Sequence, residues 1–265
     1  MVKCDGCGLV RADPTADPQV ITDLYSKSSF DYSEEVANLK RTYGRYLRKV
    51  DDYVESKGSL LEIGCGNGFF IEKALSMGYK TVKGIEPSMK AIEASNPSVR
   101  HNIICDVMRP GLFGAEEFDV ICMFQLLDHI SDPTTFLREC FKALKPGGVV
   151  LSINHNVKAL SARLLGKVSP IVDIEHTFLF SKITIARLFE VHKFEVKRSG
   201  LVLNSYTIRY LVRLAPIARL LKQALLSVLV NAGLGRMRLF VPLGNLYLIA
   251  QKPATKNGFL LGGSQ

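Results

Sequence analysis

Gly64, Gly66 and Gly68 fall at alternate positions in the run Leu60-Leu61-Glu62-Ile63-Gly64-Cys65-Gly66-Asn67-Gly68-Phe69-Phe70. An apolar stretch running into such a turn suits a nucleoside lying over a strand end, because glycine lets the backbone approach with no Cβ in the way. A tight turn with no ligand would read much the same. The spacing narrows the ligand. Dinucleotide sites use G-x-G-x-x-G, with a pyrophosphate held at the helix N-terminus. Here the run is G-x-G-x-G, and Phe69 stands where the third glycine would be. A nucleoside without a pyrophosphate fits better. About 20 residues further on, where a doubly wound sheet places a carboxylate to accept from ribose hydroxyls, Glu86 ends the run Lys83-Gly84-Ile85.

Histidine carries protons near neutral pH, and three of the five histidines follow apolar runs or precede a helix. His129 lies in Leu126-Leu127-Asp128-His129, His155 in Asn154-His155-Asn156, and His176 before the segment starting at Ser181. Each either lines a reaction site or braces a loop. Cys65, Cys105, Cys122 and Cys140 fall inside strand-like or helical runs and read as packing residues.

The elements that must position these groups alternate. Short apolar runs predict strands at Ser59–Ile63, Thr81–Ile85, Val99–Cys105, Phe118–Met123 and Val149–Ile153. Helical periodicity is expected over Phe69–Met77, Met89–Ser95 and Thr134–Leu144, with Lys145-Pro146-Gly147-Gly148 ending the last before its strand. Strands alternating with helices imply βαβ units and a mostly parallel sheet covered on both faces. Upstream, Val36, Leu39, Tyr43, Tyr46, Leu47, Val50 and Val54 recur at helical spacing within Glu34–Ser56. Downstream, Ser181–His192 reads as a helix, and Glu195–Leu203 and Asn245–Gln251 as strands. The organisation expected is an irregular segment over 1–33, a main domain over 34–203 and 243–252, a helical insertion over 204–242 and a frayed tail over 253–265.

Five ordered elements, LLEIGCGNGFF, GIEPS, Cys105-Asp106, FDVICMFQLLDHISDP and LKPGG, resemble the motif set of class I S-adenosylmethionine-dependent methyltransferases, over about Ser59 to Ile153. The resemblance implies an α/β, doubly wound, seven-stranded sheet whose last strand runs antiparallel. It further implies S-adenosylmethionine as cofactor. Glu62, Gly64, Cys65, Gly66 and Gly68 would surround its methionine moiety, Glu86 and Pro87 would meet the ribose, and Asp106 and Val107 the adenine. Phe124 and Gln125 would line the methionine end. His129 and His176 resemble histidines near the acceptor in quinone-precursor and glycan-cluster branches, and are the candidate catalytic residues. The acceptor expected is small: a sugar, a glycolipid or a quinone-like precursor, methylated on oxygen or carbon. Neither Asn-Pro-Pro-Tyr nor Asp-Pro-Pro-Tyr follows the fourth strand, so nucleobase amino groups are disfavoured.

Cys4-Asp5-Gly6-Cys7, with Asp13-Pro14 and Leu24-Tyr25, resembles half of the zinc module of sugar C-methyltransferases. Two thiolates do not complete a four-ligand zinc shell, so no metal ligand is assigned. The formal charge of +9 suits an anionic partner or solubility alone, and leaves a macromolecular, RNA-directed enzyme or a silent cofactor-binding scaffold as rival readings. Residues 205–235 carry Arg209, Arg213, Arg219 and Lys222 among Leu, Ile and Val, which fits a helical lid or a peripheral membrane or lipid contact. No secretory leader is evident and no apolar run reaches the roughly 18–20 residues of a membrane span. A cytoplasmic protein is expected.

Overall fold

In a computed structural model, residues 1–15, 36–159, 176–209, 218–242 and 244–254 are described, with the single positions 20, 162 and 212. The chain opens with a hairpin, β1 (Val2–Lys3) and β2 (Val10–Arg11), and continues with helix α1 (Val36–Leu47). Strands and helices then alternate: β3 (Ser59–Ile63), α2 (Phe69–Ser76), β4 (Thr81–Ile85), α3 (Met89–Glu93), α4 (Pro97–Arg100), β5 (Ile103–Ile104), β6 (Phe118–Phe124), α5 (Pro133–Ala143) and β7 (Leu144–His155). There follow β8 (Phe178–Leu179), α6 (Lys182–Val191), β9 (Glu195–Leu201), β10 (Asn204–Thr207), α7 (Arg219–Asn231), β11 (Arg238–Val241) and β12 (Asn245–Gln251).

Seven strands form one sheet in the order β5-β4-β3-β6-β7-β12-β9. The first five are parallel, and β12 runs antiparallel to both β7 and β9. This is the sheet the resemblance implies. Chain order reverses at β3, with β4 on one side and β6 on the other. In an open α/β sheet the crevice beyond the strand ends at such a switch point is where ligands bind.

Covered faces explain why the strands are apolar throughout. Adjacent residues point to opposite sides: Leu60 and Val120 join Tyr43, Leu47 and Phe70 under α1 and α2, whereas Leu61 and Ile121 join Phe136, Leu137 and Phe189 under α5 and α6. Each fully buried large side chain contributes about 1.5–3 kcal/mol by leaving water. The aromatic stack Tyr43–Phe124, centroids 4.0 Å apart, seats α1 against β6.

Several expectations need correction, the helix read over Glu34–Ser56 among them, since it ends at Leu47. The strand expected over Val99–Cys105 is only Ile103–Ile104. Asn96 accepts from the Ser98 N–H at 3.0 Å and Pro97 starts a helical turn, so Val99 is spent in α4. Lys145-Pro146-Gly147-Gly148 does not separate helix from strand. The helix stops at Ala143, and β7 runs through these residues because Leu144 already pairs with Phe118, with a register shift before Val149. The segment over 204–242 is not simply helical. Its stem is the antiparallel pair β10–β11, with α7 and the turn Leu234–Arg236 beyond it. The Tyr46 hydroxyl ties α1 to the root of this stem, accepting from Leu203 N–H at 3.0 Å and donating to the Leu201 carbonyl at 3.2 Å.

The first fifteen residues are likewise more regular than expected: β2 pairs with β8, placing the Cys4–Cys7 turn at the end of a small three-stranded sheet. Leu24-Tyr25, the helix start at Glu34, Arg213 and the tail from 255 lie outside the described residues. Among the described residues no helix is long and apolar enough to cross a membrane.

Candidate active site

The glycine turn lies at the switch point. Gly64, Gly66 and Gly68 have φ of 74°, 52° and 71°, a left-handed region open to glycine at little cost. Gly64 N–H and Cys65 N–H both donate to the Ile85 carbonyl, at 2.9 and 3.0 Å, which ties the turn to the end of β4. Glu86 stands on that end. Its two carboxylate oxygens accept from Gly66 N–H and Ser88 N–H, each at 2.9 Å. Burial raises the Glu86 pKa above the usual carboxylate value, and these two backbone donors only partly offset it. Glu62 is buried, and burial first, then the neighbouring Glu86 charge, pushes its carboxyl well above the ordinary range.

These residues meet a requirement for a polar nucleoside. Glu62 Oε2 and Asn67 Oδ1 are buried without a hydrogen-bond partner, so two polar atoms near the turn are left for a ligand to satisfy. S-adenosylmethionine offers an ammonium and ribose hydroxyls, which suit these buried polar atoms.

The other residues named from sequence are placed unevenly. Cys65 is buried within the turn, and Pro87 follows Glu86 directly. Asp106 lies past β5 and is already engaged: Arg109 donates to it at 2.8 and 3.0 Å, and Val107 N–H at 2.8 Å. The Arg109 hydrogen bonds lower its pKa. Val107 is exposed. The Phe124 ring is taken up in packing, stacked on Tyr43 and edge-on to Phe70 at 4.6 Å. Gln125, beyond it, has φ of 50° and donates its N–H to the Ile153 carbonyl.

Past Gln125 the chain enters a cluster that spacing in sequence did not reveal. Asp128, in the turn Leu127–His129, is fully buried. Its Oδ2 lies 2.6 Å from His155 Nδ1 and 4.0 Å from His176 Nε2. The rings of His129 and His176 are 4.4 Å apart, and those of His155 and His176 stand at right angles, 4.8 Å apart. Asn154 Nδ2 donates to Asp128 Oδ1 at 3.3 Å. Thr177 N–H donates to the Asp128 carbonyl, holding His176 beside it. Burial alone would raise the Asp128 pKa, but the His155 hydrogen bond and the three nearby imidazoles outweigh it and hold the carboxyl low. The carboxylate therefore accepts, and His155 Nδ1 carries the proton. His155 retains 20% side-chain exposure, against 6% for His176.

Asp128, His129 and His176 also bring one ligand atom each within 4.8 Å of one another, a grouping to which the sequence reading gave no metal role. Leu126 links this cluster to the glycine turn, since a Cβ on Gly64 would stand 3.2 Å from its side chain. Asp128 is the residue that sequence reasoning missed. Its only signal was an acid beside a histidine just after an apolar strand.

Sheet order, glycine turn and strand-end carboxylate together define a class I methyltransferase, the class whose methyl donor is S-adenosylmethionine. The chain belongs to the family described as methyltransferase domain, whose pattern matches residues 36–198, more than half of it. Among curated relatives, a ubiquinone biosynthesis O-methyltransferase of Caulobacter vibrioides is 34% identical over 116 residues, 41% of this chain and 46% of that protein. Another from Neisseria meningitidis is 29% identical over 140 residues, 49% of this chain and 59% of that protein. The chain thus spans about half the length of the curated relatives it matches. Two solved structures share the fold. Geranyl diphosphate C-methyltransferase from Streptomyces coelicolor superposes with TM-score 0.57 at 12% identity, covering 89% of this chain and 98% of that one. A SAM-dependent methyltransferase from Aquifex aeolicus gives 0.52 at 15%, covering 90% and 100%.

Proposed function

We propose that this protein methylates a hydroxyl of a small aromatic acceptor of the quinone-precursor kind, with His155 as general base and Asp128 as its positioning residue. The observation that carries the reading is the 2.6 Å contact between buried Asp128 and His155, with Asp128 two residues past Leu126, whose side chain faces Gly64. A hydroxyl acceptor must lose a proton as it is methylated, and a fixed imidazole is suited to take it. The curated relatives bear the name ubiquinone biosynthesis O-methyltransferase, which supports an aromatic hydroxyl ahead of a sugar or glycolipid.

In this reading Glu62, Gly64, Cys65, Gly66, Asn67 and Gly68 hold the methionine moiety of the cofactor. Glu86 and Pro87 hold the ribose, Asp106 and Val107 the adenine, and the Phe124–Gln125 backbone edges the methionine end. Asp106 must share its Arg109 contact with the adenine amino group. S-adenosylmethionine supplies, when bound, a methyl group activated by the cationic sulfur. His155 donates Nδ1–H to Asp128, leaving Nε2 to accept the acceptor's proton. The Asp128 carboxylate stabilises the imidazolium so formed. His129 and His176, the candidates from sequence, line the acceptor side and wall the pair from water. Leu126, packed on Gly64, fixes the spacing between cofactor turn and base, and alignment of this kind accounts for much of a displacement reaction's acceleration.

The test is transfer of isotopically labelled methyl to a panel of prenylated phenols, catechols and sugars. Label is expected on an aromatic oxygen. His155→Gln should lower kcat by about 10²–10⁴-fold while the affinity for S-adenosylhomocysteine stays unchanged. Label on sugars alone, or an unaltered kcat in the variant, overturns the assignment.

A further inference from the structure

The strand-paired insertion carries a surface that the proposed methyl-transfer residues do not include. From Asn204 to Pro242 the sequence has six cations, Arg209, Arg213, Arg219, Lys222, Arg236 and Arg238, and no acidic residue. On α7, Leu221, Leu225 and Val228 recur at helical spacing, and all three are exposed, Val228 at 63%. Residues three and four apart share one face of a helix, so this is an apolar stripe turned to solvent. On the adjoining hairpin, Met237, Leu239 and Phe240 are exposed too, Phe240 at 59%.

Cations gather at the same hairpin. Arg41 of α1 and Arg238 of β11 both donate to Asn38 Oδ1, at 3.0 and 2.6 Å. The Arg45 guanidinium lies 4.9 Å from the centre of the Phe240 ring and donates to the Leu203 carbonyl. None of these three arginines pairs with a carboxylate among the described residues. Like charges drawn together without a counter-charge repel, and an anionic partner would relieve that repulsion.

We infer that α7 and the β10–β11 pair, with the Arg41–Arg45 flank of α1, dock the protein on an anionic lipid bilayer. The chemistry selects this occupant. A bilayer offers phosphates to the guanidiniums and acyl chains to the Leu221–Leu225–Val228 stripe, the combination an interfacial amphipathic helix needs. RNA would satisfy the charges and leave the aliphatic stripe in water. A second copy of this chain would set six positive charges against six. The docking is peripheral, since no described helix is long and apolar enough to span.

Co-sedimentation of the full chain with vesicles tests this. Partition onto vesicles with about 30% phosphatidylglycerol should exceed that onto pure phosphatidylcholine by about tenfold or more, and added salt should weaken it. The double variant Arg45→Glu/Arg238→Glu and the exposed-stripe variant Leu225→Asn/Val228→Asn should each reduce partition by about tenfold. Equal partition onto both vesicle types overturns the inference. So does binding that is insensitive to the stripe variant yet stronger to an RNA homopolymer, which assigns the surface to nucleic acid. Self-association without vesicles that the double variant abolishes also overturns it. Because the assay needs no turnover, its failure leaves the methyl-transfer reading standing.

Discussion

Glu86 gathers two backbone N–H donors and still has a raised pKa, because the loss of water around its carboxylate exceeds what two hydrogen bonds return. A folded-state pKa above the unfolded value means that its contribution to stability is present at low pH and lost as pH rises through the folded pKa. A ligand whose hydroxyls donate to the ionised form draws the equilibrium the other way. S-adenosylhomocysteine affinity should therefore fall as pH is lowered through the raised Glu86 pKa, and Glu86→Gln should flatten that dependence. Glu86→Ala should cost about 1.5–3 kcal/mol of binding, the range for hydrogen bonds to a charged group. Calorimetric titration at several pH values reads both effects, and a folded Glu86→Ala variant with wild-type affinity would show that the carboxylate does not touch the cofactor. The place of Glu86 at a strand end beside the glycine turn was readable in advance because strand, turn and next strand end lie in one short stretch. Asp128 was not, because its partners His155 and His176 come from far along the chain.

Elements meet at Gly84, in the middle of β4's junction with the glycine turn. A Cβ there would lie 2.6 Å from both Cys65 Sγ and Ile71 Cδ1, side chains that are themselves buried. Gly84→Ala should destabilise the protein by about 1–3 kcal/mol, as overpacking of a filled core does, and should loosen the turn that Cys65 belongs to. Denaturant unfolding gives the first quantity and cofactor titration the second; a variant as stable as the parent would mean the core yields at no cost. Strands β3, β4 and β12 were legible to the residue, since buried strands bounded by turn residues leave little choice. The strand expected from Val99 was not, because the local Asn96-Pro97 helix start overrode a short apolar run. The β10–β11 stem was missed for another reason. Its residues carry no alternation of burial to read, being exposed along most of β11.

On the scale of the molecule, the Asp128 cluster couples the sheet's end to the segment before β8 and α6. Asp128 has a folded pKa below its unfolded value, so its stabilising contribution is present above about pH 4 and lost as pH falls through the folded pKa. Acid unfolding of the parent should therefore be steeper than that of Asp128→Asn, which should be less stable at neutral pH and shallower on the acid limb. Circular dichroism at stepped pH with and without urea measures the two slopes; parallel curves would mean that the carboxylate is not stabilised by its imidazole neighbours.

The sequence alone determined the α/β class, the mostly parallel sheet, and the places of the glycine turn after β3 and of Glu86 at the end of β4. All of these depend on residues close along the chain, where apolar period, glycine spacing and strand length act directly on local backbone geometry. Tertiary structure alone decided which histidine faces Asp128, that the Phe124 ring is consumed in packing, and that the cationic insertion stands on a β-stem against α1. Those outcomes depend on contacts between segments up to 200 positions apart, as Arg238 and Asn38 are. Such contacts form only when the sheet has brought the segments together, and no local pattern encodes them.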